Sequence, residues 1–398
     1  MHQPKAHYVP LDSIRGLAAL CVVIHHFVIS EPLAAVLPHR AWIDAGFFHN
    51  SWLFVDLFFV LSGIVISINY VQSEFGAFDF REFVIRRVAR IYPLHFFMLL
   101  AFLAFRLIKL SLVGAGLVHF APAEMDVNNA YSFVINVLLL HALGFVDYLS
   151  WNGPSWSISA EFYTYLIFGG VVVLAQKLQS VRMLYLASLA LVVLSWFFIL
   201  FVLEKQTLEF QADGIARCIL SYFVGVLTIP IVALLKQSAA SPRVQTAWQV
   251  GAALAAVAMV FAVGTDGRLS FLAPIVFAVL LGSLMVYPAR ALPQLLSAGP
   301  LVWLGKRSYS IYMVHALVLV LVEYFVRGVG TQRLGTIDHL FPGTAATLLL
   351  FVLVGSVLAI SNLTFAYVEM PGSKAVIRLL RREPGKRIAA AEGKALGQ

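Results

Sequence analysis

Long apolar runs broken by short polar clusters make up most of this sequence. Runs near the roughly 20 residues that a bilayer-spanning helix needs lie at about 12–30, 52–70, 92–110, 156–175, 183–203, 213–235, 245–264, 269–287, 308–326 and 343–367. A further run, 130–145, contains Asn136 and His141 and is short for a span. The pattern predicts an all-α fold, a polytopic transmembrane helical bundle of about ten spans. Residues 1–370 would form the transmembrane domain and residues 371–398 a basic cytoplasmic tail.

Composition agrees with this. The 398 residues are 61% hydrophobic and 12% charged, against about 25% charged in soluble domains. Charge placement sets the topology. The loop 71–91 carries Arg81, Arg86, Arg87 and Arg90, which puts it and the N-terminus in the cytoplasm. If 130–145 does not cross, Lys177, Arg182, Lys236, Arg243, Arg290, Lys306 and Arg307 also fall inside, with the basic tail. Glu204, Glu209, Asp213 and Asp266 fall outside. If that segment crosses, the bias inverts, so it is expected to be re-entrant or interfacial. Non-helical backbone at membrane depth is tolerated where protein covers it or where it lines a cavity. The net charge of +8 is thus topological, with no basic-aromatic stripe and no nucleic-acid partner. The first run holds Arg15 and no evident small-residue cleavage site, so it reads as a retained helix. Cys21 and Cys218 both sit in apolar runs and offer no disulfide framework.

Candidate chemistry begins in LDSIRGLAALCVVIHHFVIS, residues 11–30. Arg15 and His26 are eleven residues apart, about three helical turns and roughly 16 Å, and share one face to within about 20°. His25 points about 80° away. A charge inside a span costs roughly 2.5–3.5 kcal/mol on insertion scales, which makes such a residue a functional candidate. The plainer reading has Arg15 anchoring the helix at the headgroups and the histidines satisfied within the bundle.

Four further clusters follow. In REFVIRRVARIYP, Arg86 and Arg90 are one turn apart with Arg87 beside them, and Glu82 can pair with Arg86. Guanidinium forks suit phosphate, but basic inner loops also arise from topology alone. In NGPSWSISAEFYTY, at the outer mouth of the fourth span, Ser157 and Glu161 follow at helical spacing. Glu161 could act as a base or orient a substrate hydroxyl, and capping or interface anchoring is the plainer role. In GKRSYSIYMVH, His315 lies about two turns into its span and one turn past Tyr312. In FFVLSGIVIS, Ser62 and Gly63 permit close helix approach, while nearby Asp56 has no evident role. His25, His26, His95, His141 and His315 show no paired spacing of the metal-binding kind, so no metal is expected.

These motifs, taken in order, resemble the acyltransferase-3 family of integral membrane acyltransferases. RGLAALCVVIHH resembles its Arg-x10-His motif, and FFVLSG, RRVARIYP, WSISAEF and SYSIYMVH resemble its later signatures, from about Tyr8 to Met370. The resemblance implies a multi-pass enzyme of the bacterial inner membrane with both termini cytoplasmic. It implies O-acylation of a surface glycan, lipid-linked acceptors among them, with an acyl group, commonly acetyl, taken from cytoplasmic acyl-CoA. The coenzyme is a donor substrate; no permanently bound cofactor is implied. His26 matches the family's essential histidine and Arg15 its paired basic residue. Arg86, Arg87 and Arg90 match the cluster that would meet the coenzyme phosphates. Glu161 and His315 match recurrent polar positions. Some members append an extracytoplasmic domain of the SGNH type, for which this chain is too short. The residues alone also fit a glycan or lipid-carrier transporter whose Arg and His line a path without covalent chemistry. A lipid or small-molecule sensor is a third class, without a recognisable signalling domain.

Overall fold

A computed structural model describes residues 8–36, 43, 45–72, 75–116, 127–237, 240–327, 336 and 339–381. Ten helices in it are long and apolar enough to cross a membrane, each overlapping a predicted run. In chain order the main helices are α1 (Val9–Ile29), α2 (Phe54–Ser67), α3 (Phe80–Gly114), α4 (Ala130–Val137), α5 (Trp156–Lys177) and α6 (Val181–Phe197). They continue with α7 (Gly214–Leu235), α8 (Pro242–Val263), α9 (Ala273–Val286), α10 (Gly299–Phe325), α11 (Thr344–Thr364) and α12 (Met370–Arg381). The tail residues beyond 381 lie outside the described part of the chain. The all-α, multi-pass architecture expected from the sequence is the one observed.

Some helices outrun their apolar cores. α3 begins twelve residues before its hydrophobic run, because Asp79 caps it by accepting from the Glu82 amide at 2.8 Å. Its 35 residues extend about 52 Å, well beyond a hydrocarbon core of about 30 Å. The surplus carries the arginines past the apolar layer while keeping them in helical register.

Two glycine contacts set the central packing. α1 crosses α10 where a Cβ on Gly16 would lie 2.6 Å from the Gly305 amide nitrogen, and one on Gly305 would lie 2.3 Å from the Asp12 carbonyl oxygen. α2 crosses α7 in the same way: a Cβ on Gly63 would lie 2.0 Å from the Tyr222 carbonyl oxygen, and one on Gly225 would lie 2.1 Å from that of Val60. Small residues let backbones touch where lipid supplies no hydrophobic drive for helix association. The first crossing brings the first span against the ninth.

The segment predicted not to cross does not form a span. α4 has eight residues, about 12 Å, and irregular backbone follows it to Asn152. Polar side chains hold this stretch to the bundle. His95 donates to the Asn136 carbonyl (2.9 Å), Asn136 to Ser150 (3.0 Å) and the Ala142 amide to Ser159 (3.1 Å). These bonds satisfy backbone and side chains that helix geometry would otherwise have served.

A buried ion pair joins α2 to α7. Arg217, 1% exposed, makes a forked contact with Asp56, 0% exposed, with Nη2 at 2.6 Å from Oδ2 and Nε at 3.1 Å from both oxygens. Ser221 donates to Asp56 at 2.9 Å. The guanidinium lies 5.1 Å from the Trp52 ring and 5.3 Å from the Trp156 ring. Asp56 thus acquires a partner 161 residues away, invisible to local spacing.

Candidate active site

A cavity of about 430 Å³ opens among α1, α2, α3, α5 and α10, within the usual ligand-pocket range of about 300–1,000 Å³. Arg15, Arg86, Arg87 and Arg90 line it, with Glu161 as its carboxylate among the described lining residues. Ser62, Ser157, Tyr165, Tyr309 and Tyr312 supply hydroxyls along the wall. The site residues expected from Arg15, the three-arginine cluster, Ser157, Glu161 and Tyr312 therefore face one space.

Each arginine is held differently. Arg15 donates from Nε to Ser308 (2.8 Å), and from Nη2 to Asp12 (3.0 Å) and the Gly305 carbonyl (3.3 Å). It is thus fixed to α10, remote from His26, as the helix spacing requires. Arg86 pairs with Glu82 at 2.6 Å, the pairing expected from their spacing. Arg90 pairs with Glu369, whose other oxygen accepts from Ser310 at 2.7 Å, and its guanidinium lies 5.3 Å from the Tyr309 ring. Arg87 is set among rings, 5.9 Å from Tyr70, 5.7 Å from Phe83 and 5.5 Å from Tyr165. Its buried Nε has no hydrogen-bond partner among the described residues. Aromatic faces attract the cation without consuming its donors, which leaves Arg87 able to bond an anion in the cavity.

Glu161 lies on the wall of this cavity. It accepts from Ser62 and from the Tyr165 hydroxyl (2.6 Å). Sequence spacing does not reveal Ser62 and Glu369 as site residues, because their partners lie on distant helices, whereas Tyr165 sits one turn from Glu161 on the same helix and was within reach of spacing alone. Ser62 appeared only as a packing residue.

Two histidines sit beyond the end of the cavity. The His26 and His315 rings are 4.8 Å apart, and neither lines the space. Tyr312 stands between: it lines the cavity, and its ring lies 5.6 Å from that of His315. His26 Nδ1 contacts the Val22 carbonyl at 2.9 Å, and His315 Nδ1 contacts that of Tyr312. A carbonyl only accepts, so Nδ1 of each ring carries the hydrogen. In the neutral ring this leaves the lone pair on Nε2. The His315 Nε2 is buried without a partner among the described residues. His26 is half-buried, whereas His25 is buried and bonded to the Phe48 carbonyl at 3.1 Å. The histidine pair can therefore act as base or nucleophile through Nε2, one tyrosine away from an arginine-lined space. Among the described residues no cluster of three or more metal-ligating side chains occurs.

Known proteins share this sequence pattern. A family model for the acyltransferase-3 acyltransferase domain matches residues 9–356. The O-acetyltransferase OatA of Staphylococcus aureus is 27% identical over 356 residues, 82% of this chain and 53% of its own length. The peptidoglycan O-acetyltransferase OatA of Listeria monocytogenes is 27% identical over 340 residues, 79% of this chain and 50% of its own. The YrhL protein of Bacillus subtilis is 26% identical over 344 residues, 80% of this chain and 50% of its own. The chain thus spans about half the length of these relatives. No solved structure matches it. With the ten spans, the cavity and the family match in agreement, the chain belongs to the acyltransferase-3 family of membrane proteins.

Proposed function

We propose that this protein is an O-acetyltransferase that moves an acetyl group from cytoplasmic acetyl-CoA to a hydroxyl of a glycan outside the bacterial inner membrane. The observation that carries the reading is the arginine-lined cavity ending at Tyr312, with the His315–His26 pair directly behind it. The basic end of the bundle faces the cytoplasm, as the bias of positive charge requires, with both termini on that side. Arg86, Arg87 and Arg90 receive the coenzyme phosphates by charge-assisted bonds, and Arg15 holds the donor deeper in the cavity. The pantetheine arm then extends toward Tyr312. Relatives named as peptidoglycan O-acetyltransferases favour a cell-wall glycan as acceptor.

At the histidines the transfer balances in either of two ways. As general base, His26 Nε2 takes the proton of the acceptor hydroxyl while its oxygen attacks the thioester carbonyl. The C–S bond breaks, and the coenzyme thiolate regains the proton. As nucleophile, Nε2 attacks the thioester carbonyl, the C–S bond breaks and the coenzyme leaves as thiolate; the acceptor oxygen then attacks the acyl-imidazole, the C–N bond breaks, Nε2 is restored and the acceptor proton passes to the thiolate. Glu161, bonded to Ser62 and Tyr165, orients the donor or the incoming hydroxyl from the cavity side.

The test uses purified protein in proteoliposomes with labelled acetyl-CoA and muropeptide glycan strands. Label should appear on the glycan with equimolar release of CoA, and His26→Ala should stop both. Glycan movement across the bilayer without label transfer would replace this reading with transport.

A further inference from the structure

A second cleft, of about 230 Å³, lies at the other end of the bundle. It is built where the last turns of α3 and α10 meet the irregular stretch after α4. Arg106 and Lys109 come from α3, Glu323, Tyr324 and Arg327 from the end of α10, and Trp151 from that stretch. Arg106 is 20 residues beyond Arg86 along one helix, about 30 Å, so this cleft and the donor cavity lie toward opposite ends of α3, with the cleft on the outer side in the topology that the charge bias sets. The bias that places cations on the inner face gives no reason for three of them to converge here.

The cleft is tied to the helix that carries His26. Glu323 accepts from Ser30 at 2.6 Å, and Ser30 is one turn beyond His26. Its walls are aromatic. The Arg106 guanidinium lies 5.9 Å from the Trp151 ring, and the Lys109 ammonium lies 5.4 Å from the Tyr324 ring. Trp151 is held at φ 56°, a region costly for a bulky residue and found mainly where surrounding structure enforces it. Its Nε1 is fixed to Ser132 at 3.0 Å, so the indole face presented to Arg106 is rigid.

We infer that this cleft is the acceptor subsite and that it takes a sugar carrying a negative charge, carboxylate or phosphate. The inference rests on the proposed acyl transfer for the word acceptor, but not for the binding. The half-buried Tyr324 ring gives a pyranose ring an apolar wall, and Arg106, Lys109 and Arg327 bring positive charge to its anionic group. The Glu323–Ser30 bond ties that end to α1, so a sugar seated here places a neighbouring hydroxyl toward His26.

The test measures binding of three probes to the full chain in detergent. One is a tetrasaccharide alternating glucuronic acid and N-acetylglucosamine, one is N-acetylglucosamine 1-phosphate, and one is the neutral N-acetylglucosamine tetramer. At least one charged probe should bind at least tenfold more tightly than the neutral one, and which does so identifies the anionic group. Raising salt should weaken that binding. The combined variant Arg106→Gln, Lys109→Gln, Arg327→Gln should remove the preference while retaining coenzyme A binding, which reports on the folded donor cavity. Should that variant fail to bind coenzyme A, Arg106→Gln alone should reduce the preference at least threefold. Equal binding of charged and neutral probes, or an undiminished preference in the variants, overturns the inference. Charged-probe preference in a protein that transfers no acetyl would overturn the proposed function and leave the subsite standing.

Discussion

Ser157 donates from Oγ to the Tyr312 hydroxyl at 2.9 Å, and Tyr312 donates onward to the Pro154 carbonyl at 2.9 Å. This latch fixes the ring that separates the arginine-lined cavity from the histidine pair. Tyr312→Phe keeps the ring and removes the latch. Net loss of one hydrogen bond costs about 1 kcal/mol, so the variant should remain folded, with a small shift in thermal denaturation in detergent. Under the proposed mechanism its acetyl-CoA hydrolysis should rise severalfold relative to glycan labelling. Parallel measurement of free CoA and labelled glycan checks this.

His26→Asn should lower glycan acetylation by at least about a hundredfold, the usual scale for a lost acid–base group. His315→Asn removes a ring 4.8 Å away and should leave measurable activity. Size-exclusion profiles matching the parent protein would show that either loss is chemical. Wild-type rates in His26→Asn would remove that residue from the mechanism.

Among the described residues, Arg87 is the cavity arginine with a buried nitrogen that has no hydrogen-bond partner. Arg87→Gln should raise the KM for acetyl-CoA about tenfold, matching loss of roughly one charge-assisted bond, and leave the acceptor KM unchanged. Arg86 already pairs with Glu82, so Arg86→Gln should have the smaller effect. Initial rates with each substrate varied in turn decide both.

The Asp56–Arg217 pair is a structural tie. Asp56→Leu alone strands a buried guanidinium and should cost about 3–5 kcal/mol. Adding Arg217→Met should recover much of that loss. Thermal unfolding followed by tryptophan fluorescence is suited to the comparison, since Trp52 and Trp156 flank the guanidinium.

Gly305→Ala tests the α1–α10 crossing. Its new methyl would meet Asp12 backbone at 2.3 Å, so the helices must separate. Arg15 would then lose its 2.8 Å bond to Ser308. The variant should accumulate poorly and denature at lower temperature than Gly299→Ala, where a Cβ meets nothing within 4 Å.

What the sequence made legible follows from the range of each interaction. Hydropathy located each of the ten candidate spans among the described residues, because insertion depends on local composition over about 20 residues. Charge counting also indicated that 130–145 stays out of the set of spans. Within one helix, spacing correctly separated Arg15 from His26 and joined Glu82 to Arg86. Contacts between helices stayed hidden. Asp56 lacked a role until Arg217 appeared beside it, and the bond from Ser62 to Glu161 joins residues on two helices, 99 positions apart in sequence. The early start of α3 was missed for a different reason: helix continues past the hydrocarbon wherever a cap such as Asp79 permits, and hydropathy stops at the interface.

The bond between Arg15 and Ser308 joins residues 293 positions apart. At ribosomal rates of about 5–20 residues per second, the second partner emerges roughly 15–60 s after the first. α1 must therefore wait in the bilayer, its guanidinium served by Asp12 and lipid headgroups, until α10 has been made. Nascent chains arrested ahead of Gly299 would be inserted yet inert, and quality-control proteases that patrol the membrane would meet them with that charge still seeking a neighbour.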